Sequence, residues 1–384
     1  MLVSVAVLVW VPLLPANFNA ASGNAVTSVN TATEIRVLDP GWWPTKSTPA
    51  REEYVGSAVC AKCHGDKAGT QTRTAMAHAL TIASSVEFDS MKAPLIFKIG
   101  SYSYEIGHSA DGAVYSVKKE GSSTSVPLGW IFGQGQFGKT YLYSQNGSYF
   151  ESRISFYTAI RGLDFTAGSP RGAPNRLETA LGRRMSSDEP PRCFGCHSTA
   201  ANTNNKFDPS RLVPGVTCEA CHGPGAQHVA AMSLGCSERS ATFIMNPGRL
   251  DPIDAVDFCG ACHRTSVDVS LAGVTGILTL RFPAYRLQRS RCWGTGDSRL
   301  VCAACHDAHR PLAHDVASYD RQCLSCHLRD SKMKASSDHP GRACPISETA
   351  CVSCHMPKFN IPEMHTSFTD HKVRIYKPGE AFAE

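Results

Sequence analysis

The sequence contains no run of 18 apolar residues, which excludes an internal membrane-spanning helix. Only 18% of its 384 residues are charged and no dense Lys or Arg block occurs, so the formal charge of +5 carries no nucleic-acid signature. Cysteine, at 17 residues, is too dilute for a small domain stapled by disulfides and too abundant for an ordinary reduced enzyme. The cysteines therefore have a specific chemical task.

The N-terminal run Leu2 to Leu14 is apolar but too short to cross a bilayer. Small and polar residues follow it, so segment 1–25 reads as a secretory signal peptide and 26–53 as an extension. The expected location is periplasmic or extracellular.

Fourteen of the cysteines fall into seven copies of Cys-x-x-Cys-His. The thiol pairs are Cys60 and Cys63, Cys193 and Cys196, Cys218 and Cys221, Cys259 and Cys262, Cys302 and Cys305, Cys323 and Cys326, and Cys351 and Cys354. They are followed by His64, His197, His222, His263, His306, His327 and His355. On one helical turn the two thiols add across the vinyl groups of a haem, and the adjacent imidazole becomes the proximal iron ligand. Zinc or iron–sulfur sites do not require a His after every second Cys. The motifs predict seven covalent haem c groups.

Six motifs crowd into residues 193–355, leaving too little chain per cofactor for an ordinary apolar core. The expected fold is mainly α with much irregular loop around a multihaem core. It comprises a first haem segment (54–92), a small antiparallel β insertion (93–170), a connecting loop (171–192) and a six-haem helical and loop domain (193–377). The insertion is read from Tyr102, Tyr104 and Ile106 alternating with polar residues, and from Asn146-Gly147 as a hairpin turn. Gly133 to Gly138 spells GxGxxG, but the strand-like Lys139 to Tyr143 follows it where a dinucleotide site needs a helix.

Eight histidines remain for the distal faces of seven irons. The candidate distal ligands are His78, His228, His309, His314, His339, His365 and His371, while His108 lies in the β segment beside a turn. His309 follows His306 by one helical turn and is expected to reach a neighbouring haem. A full set of bis-His irons leaves no vacant position and favours an electron carrier. Cys292 and Cys344, each shortly before a motif, are expected to form a disulfide tying the last three haem segments together.

The phrases Val55-Gly-Ser-Ala-Val-Cys-Ala-Lys-Cys-His64, Gly215-Val-Thr-Cys-Glu-Ala-Cys-His-Gly-Pro-Gly225, Cys302-Ala-Ala-Cys-His-Asp-Ala-His309, and Cys351-Val-Ser-Cys-His-Met-Pro357 with Thr369-Asp-His371 resemble the multihaem c-type cytochromes related to cytochrome c-554. The likeness covers about residues 54 to 377 and is weaker through the β insertion. It implies an extracytoplasmic electron-transfer protein with mostly bis-His haems stacked in pairs, and with His78, His228, His309, His365 and His371 as distal ligands. The expected partners are a redox protein donor and acceptor, with self-association through haem edges, no nucleic acid and no transmembrane span. Two other readings stay open. One is a reductase or oxidase of a small nitrogen or sulfur compound with one open iron, although no CxxCK occurs. The other is a subunit of a cytochrome filament or conduit.

Overall fold

The structure, a computed structural model, describes residues 50–83, 93–109, 112–133, 135–203, 206–235, 243–290, 292–293, 299–327, 344–377 and 379–382. These lie within one unit, Thr31–Glu384. The signal-like segment, the extension as far as residue 49, His339 and Cys236 lie outside the described residues.

Helices α1 (Ser57–Ala61) and α2 (Gly65–Gln71) carry the first motif. Next come strands β1 (Leu80–Ile82), β2 (Leu95–Ile99), β3 (Tyr102–Ser109), β4 (Gly112–Lys119), β5 (Ser122–Pro127), β6 (Trp130–Phe132), β7 (Gly138–Gln145), β8 (Ser148–Tyr157) and β9 (Gly162–Phe165). After the single turn α3 (Leu177–Ala180) comes β10 (Gly182–Arg184). Strands β2-β3-β4-β5 form one antiparallel sheet, and β1-β6-β7-β8-β10 form a second, with β9 pairing β8. The strands thus run past segment 93–170 at both ends.

The period-two pattern decides which side chains face inward. Tyr102, Tyr104 and Ile106 of β3 and Tyr115 and Val117 of β4 pack against Ile131, Tyr141, Tyr143 and Ile154 of the second sheet, making a two-sheet sandwich. Asn146 and Gly147 both have positive φ (49° and 72°) and join β7 to β8 as a two-residue hairpin, the backbone state that Asn-Gly favours. Gly133 (φ 92°) turns the chain between β6 and β7; a Cβ there would stand 2.6 Å from the Gly138 carbonyl oxygen. The GxGxxG glycines therefore serve a strand-to-strand turn.

The outer face of the second sheet is also covered. Helix α4 (Glu189–His197), which holds the second motif, inserts Phe194 (0% exposed) among Trp130, Phe132, Tyr149 and Phe207, with ring centroids 5.1–6.2 Å apart. This second cluster also includes Leu80, Leu142 and Met185. The β segment is the bed on which the second motif lies.

Beyond it the elements are short. Small strand pairs β11 (Ser198–Thr199) with β14 (Val213–Pro214), and β12 (Asn202–Thr203) with β13 (Lys206–Phe207), lead to helices α5 (Cys218–His222) and α6 (Ala226–Ser233). Then come α7 (Pro252–His263), α8 (Ser266–Ala272), α9 (Pro283–Gln288), α10 (Cys302–Cys305), α11 (Ala317–His327) and α12 (Cys351–His355). A C-terminal hairpin pairs β15 (Lys358–Ile361) with β16 (Thr366–Thr369). Each motif helix has one to three turns because the next motif soon follows.

The expectation of a mainly α chain is wrong: the structure is 35% helical and 26% strand, with several antiparallel sheets. Short motif helices contribute little helix, whereas the sandwich contributes long strands. Counting motifs overweighted the first and treated the second as an accessory.

Candidate haem-binding site

Six of the seven motif helices end at or just after the motif, with its His at or next to the C-terminus: α4, α5, α7, α10, α11 and α12. Burial depresses the basicity of His197, His222, His263 and His306, and pushes His371 down to about 4, so these imidazoles are held neutral, the metal-binding form. The ring proton is also placed. The Nδ1 of His197, His222, His355 and His371 lies 3.1, 2.8, 3.1 and 3.1 Å from the carbonyl oxygens of Ala79, Met245, Arg374 and Thr369. Donation from Nδ1–H leaves Nε2 as a lone pair, the orientation that ligating histidines use.

The motif cysteines, expected from the sequence as thioether donors, stand here as thiols. Cys63, Cys305 and Cys354, the second cysteines of the first, fifth and seventh motifs, are exposed. Cys262, the second cysteine of the fourth motif, is half-buried, as are Cys60, Cys193, Cys196, Cys218, Cys221, Cys259, Cys302, Cys323, Cys326 and Cys351. A thiol that adds to a vinyl group must be reachable by it, and this exposure provides that access. Cys193 packs against the Phe194 cluster, so the second motif meets the β sandwich through its thiol as well as its ring.

The structure brings three of the candidate distal histidines to face proximal ones. His228 on α6 faces His64, with ring centroids 6.5 Å apart and planes 26° from parallel. His309 faces His222 at 6.0 Å and 17°, and His371 faces His306 at 6.2 Å and 45°. Two imidazoles bound through Nε2 to one iron, at Fe–N about 2 Å, put their centroids roughly 6 Å apart. The three pairs fit that spacing. They also form a series: the first motif is faced by a residue following the third, the third by one following the fifth, and the fifth by one following the seventh.

The other candidates are placed differently. His365 has its Nε2 2.7 Å from Asp164 Oδ2 and its ring 4.8 Å from that of Tyr157. His314 Nε2 lies 3.3 Å from Gln136 Nε2, on the exposed side of the chain. His78 is exposed in the turn after α2, and His108 is exposed on β3. Cys292 and Cys344 are half-buried.

The motif thiols neighbour one another in a defined order. Cys60 lies beside Cys218, whose Sγ is 3.4 Å from Ser57 Oγ. Burial, and then the neighbouring Cys259 and Cys218 thiols, push the Cys221 thiol up to about 12. Cys259 hydrogen-bonds Cys302, Cys305 neighbours Cys323 and Cys326, and Cys323 hydrogen-bonds Cys351. The second motif joins from the side, with Cys196 Sγ 3.5 Å from the Ala261 carbonyl oxygen, next to Cys262. In space the motifs therefore run first, third, fourth, fifth, sixth, seventh, and the second branches at the fourth.

Charged clasps between the motifs were not singled out from the sequence. Glu219, inside the third motif and 2% exposed, accepts from the backbone N–H of Val55, Gly56 and Gly225, each at 2.8 Å, and so ties the first motif to the third. Asp320 accepts from the N–H groups of Ala350 and Cys351 at 2.9 Å and ties the sixth to the seventh. Arg286 on α9 makes a bidentate pair with Asp370, both bonds 2.8 Å and both side chains fully buried. Asp370 immediately precedes His371, and Ser290 Oγ donates to the His371 carbonyl at 3.0 Å, so this pair positions that imidazole. An acidic residue within or beside a motif was the available signal, as in Cys-Glu-Ala-Cys-His and Thr-Asp-His.

Residues 171–223, spanning the second and third motifs, match the family described as cytochrome c554 and c-prime. The multiheme cytochrome MtrA of Shewanella baltica (strain OS185) is 26% identical over 218 residues, 51% of this chain and 54% of that protein. Over these segments the chain is similar to multihaem c-type cytochromes. It spans about half the length of the curated relative it matches. A solved structure, the outer cell wall cytochrome OcwA, aligns over 84% of this chain and 80% of its own at a TM-score of 0.47 and 13% identity. Cytochromes of this class hold haem c through thioethers, and the cysteine pairs, neutral imidazoles and facing rings described above fit that group. No helix among the described residues is long and apolar enough to cross a membrane.

Proposed function

We propose that the chain is an exported heptahaem cytochrome that passes electrons along closely spaced haems, at least three of them ligated by two histidines. The carrying observation is the set of facing imidazole pairs, His64 with His228, His222 with His309 and His306 with His371, at 6.0–6.5 Å. A six-coordinate iron keeps both ligands through oxidation and reduction, which suits electron transfer and leaves no position for substrate. The neighbouring motifs support short steps between cofactors, and the branch gives the array three ends, at the first, second and seventh motifs. A redox protein donor and acceptor would dock at these ends. The exposure of Cys63 and Cys354 supports the first and seventh as accessible ends. The Nδ1–carbonyl contacts hold ring orientation, and the buried clasps hold the spacing between motifs.

Electron paramagnetic resonance of the oxidised protein tests this reading. The expected spectrum is dominated by low-spin bis-imidazole signals, with seven haems per chain by haemochrome assay. His228→Ala, His309→Ala and His371→Ala should each convert one haem to high spin. Unchanged spectra in all three variants would refute the pairing. A high-spin signal in the unmodified protein, with turnover of nitrite or hydroxylamine, would support the reductase reading instead.

A further inference from the structure

The imidazoles of the facing pairs are not all held alike at their second ring nitrogen. The Nδ1 atoms of His222 and His371 lie 2.8 and 3.1 Å from the carbonyl oxygens of Met245 and Thr369. His309 differs, because its Nδ1 is 3.3 Å from Oδ1 of Asp307, a carboxylate two positions before it. The same oxygen accepts from the His309 backbone N–H at 2.9 Å, so one tight side-chain turn fixes carboxylate and ring together. Asp307 Oδ2 has separate partners, Arg310 Nε at 3.4 Å and Lys67 Nζ of α2 at 3.9 Å. These cations hold Oδ2 and leave Oδ1 to the histidine. The side chains of Asp307 and His309 are 39% and 35% exposed, so their contact adds little to folding stability.

With Nδ1–H turned to the carboxylate, Nε2 is the nitrogen left for iron. A carboxylate draws that ring proton more strongly than a carbonyl does, which makes Nε2 the stronger electron donor. A stronger donor favours ferric over ferrous iron and lowers the one-electron potential. We propose that Asp307 is a positioning residue that orients His309 through Nδ1 and sets the haem of the third motif at a lower potential than a carbonyl-held imidazole would. This inference rests on the ligation of that haem by His222 and His309 proposed above. Loss of such a partner changes a ligand's hold on its metal by tenfold or more, and a tenfold change in the ferric-to-ferrous preference is ~59 mV for one electron. The third motif stands between the first and the fourth in space, so Asp307 places an energetic step on the path from the first motif to the branch.

The test is a potentiometric titration of the full haem-loaded chain, followed by electron paramagnetic resonance at one fixed pH. The third-motif haem is the low-spin signal that His309→Ala converts to high spin, and the fifth-motif haem is the one that His371→Ala converts. Asp307→Asn keeps an oxygen for the His309 N–H and for Nδ1–H and removes only the charge. In that variant the third-motif haem should stay low spin while its midpoint rises by about tenfold in the ferric-to-ferrous ratio, ~59 mV. Asp307 also adjoins His306, so a bare charge acting through space would move the fifth-motif haem at least as far. An unchanged third-motif midpoint, or an equal rise at the third and fifth motifs, overturns this inference while the His309→Ala conversion stands. Absence of that conversion overturns the pairing and this inference with it.

Discussion

The sandwich of residues 80–184 and the motif region of residues 193–377 solve the problem of a core in opposite ways. The sandwich buries a continuous set of tyrosines and aliphatic side chains from both sheets. Among its described residues, the motif region from the third motif onward has only small apolar clusters, one around Phe258 and Ala261 and another around Val256, Ala284 and Leu287. Its firm points are Glu219, Asp320 and the Arg286–Asp370 pair. One region is held by its own side chains. The other is a set of short helices with little apolar interior of their own, one that haem groups would supply.

The largest expected effect comes from withholding haem. In a chain with all fourteen motif cysteines changed to Ala, amides of α5, α7, α10 and α12 should exchange with deuterium at nearly unprotected rates while β3, β4, β7 and β8 stay protected. Equal loss of protection in both regions would dissolve the contrast. Next comes Asp370→Asn. It strands the buried Arg286 charge at a cost of roughly 3–5 kcal/mol and frees His371, so denaturation should show the loss while a new high-spin signal appears. Phe194→Ala cuts the junction between the two regions and should cost about 3 kcal/mol, with the second motif helix losing exchange protection ahead of the sheets.

The smallest effect concerns pH. Glu189, at the start of α4, accepts hydrogen bonds from Arg183 of β10 and from Ser186 N–H; its Arg183 partner is the main reason its carboxyl is held down from 4.5 to about 2. A depressed carboxyl stabilises the fold above its unfolded value and loses that contribution as pH falls from about 4.5 to about 2. Neighbouring Glu151, pushed up by burial, works in the other direction. Exchange protection of α4 should therefore drop in this window more in the parent than in Glu189→Gln.

Local chemistry was legible where spacing alone carries it. The seven motifs, the alternation of Tyr102, Tyr104 and Ile106, and the Asn146-Gly147 turn each depend on a few neighbouring residues. The facing of His371 and His306 was not legible, because it rests on Arg286 meeting Asp370 across 84 positions. Helix content was overestimated because a motif signals where a helix sits but not how short it is. The part played by the β segment was missed for a related reason. Phe194 looks like filler inside Cys-Phe-Gly-Cys-His until Trp130, Phe132 and Tyr149 are seen closing around it.

The sequence by itself determined where the thiol pairs and their adjacent imidazoles stand, since each motif lies within about one helical turn. Only the tertiary structure decided which histidine faces which, and that the second motif branches at the fourth. Those relations depend on distances closed by buried carboxylates and packed rings far apart along the chain.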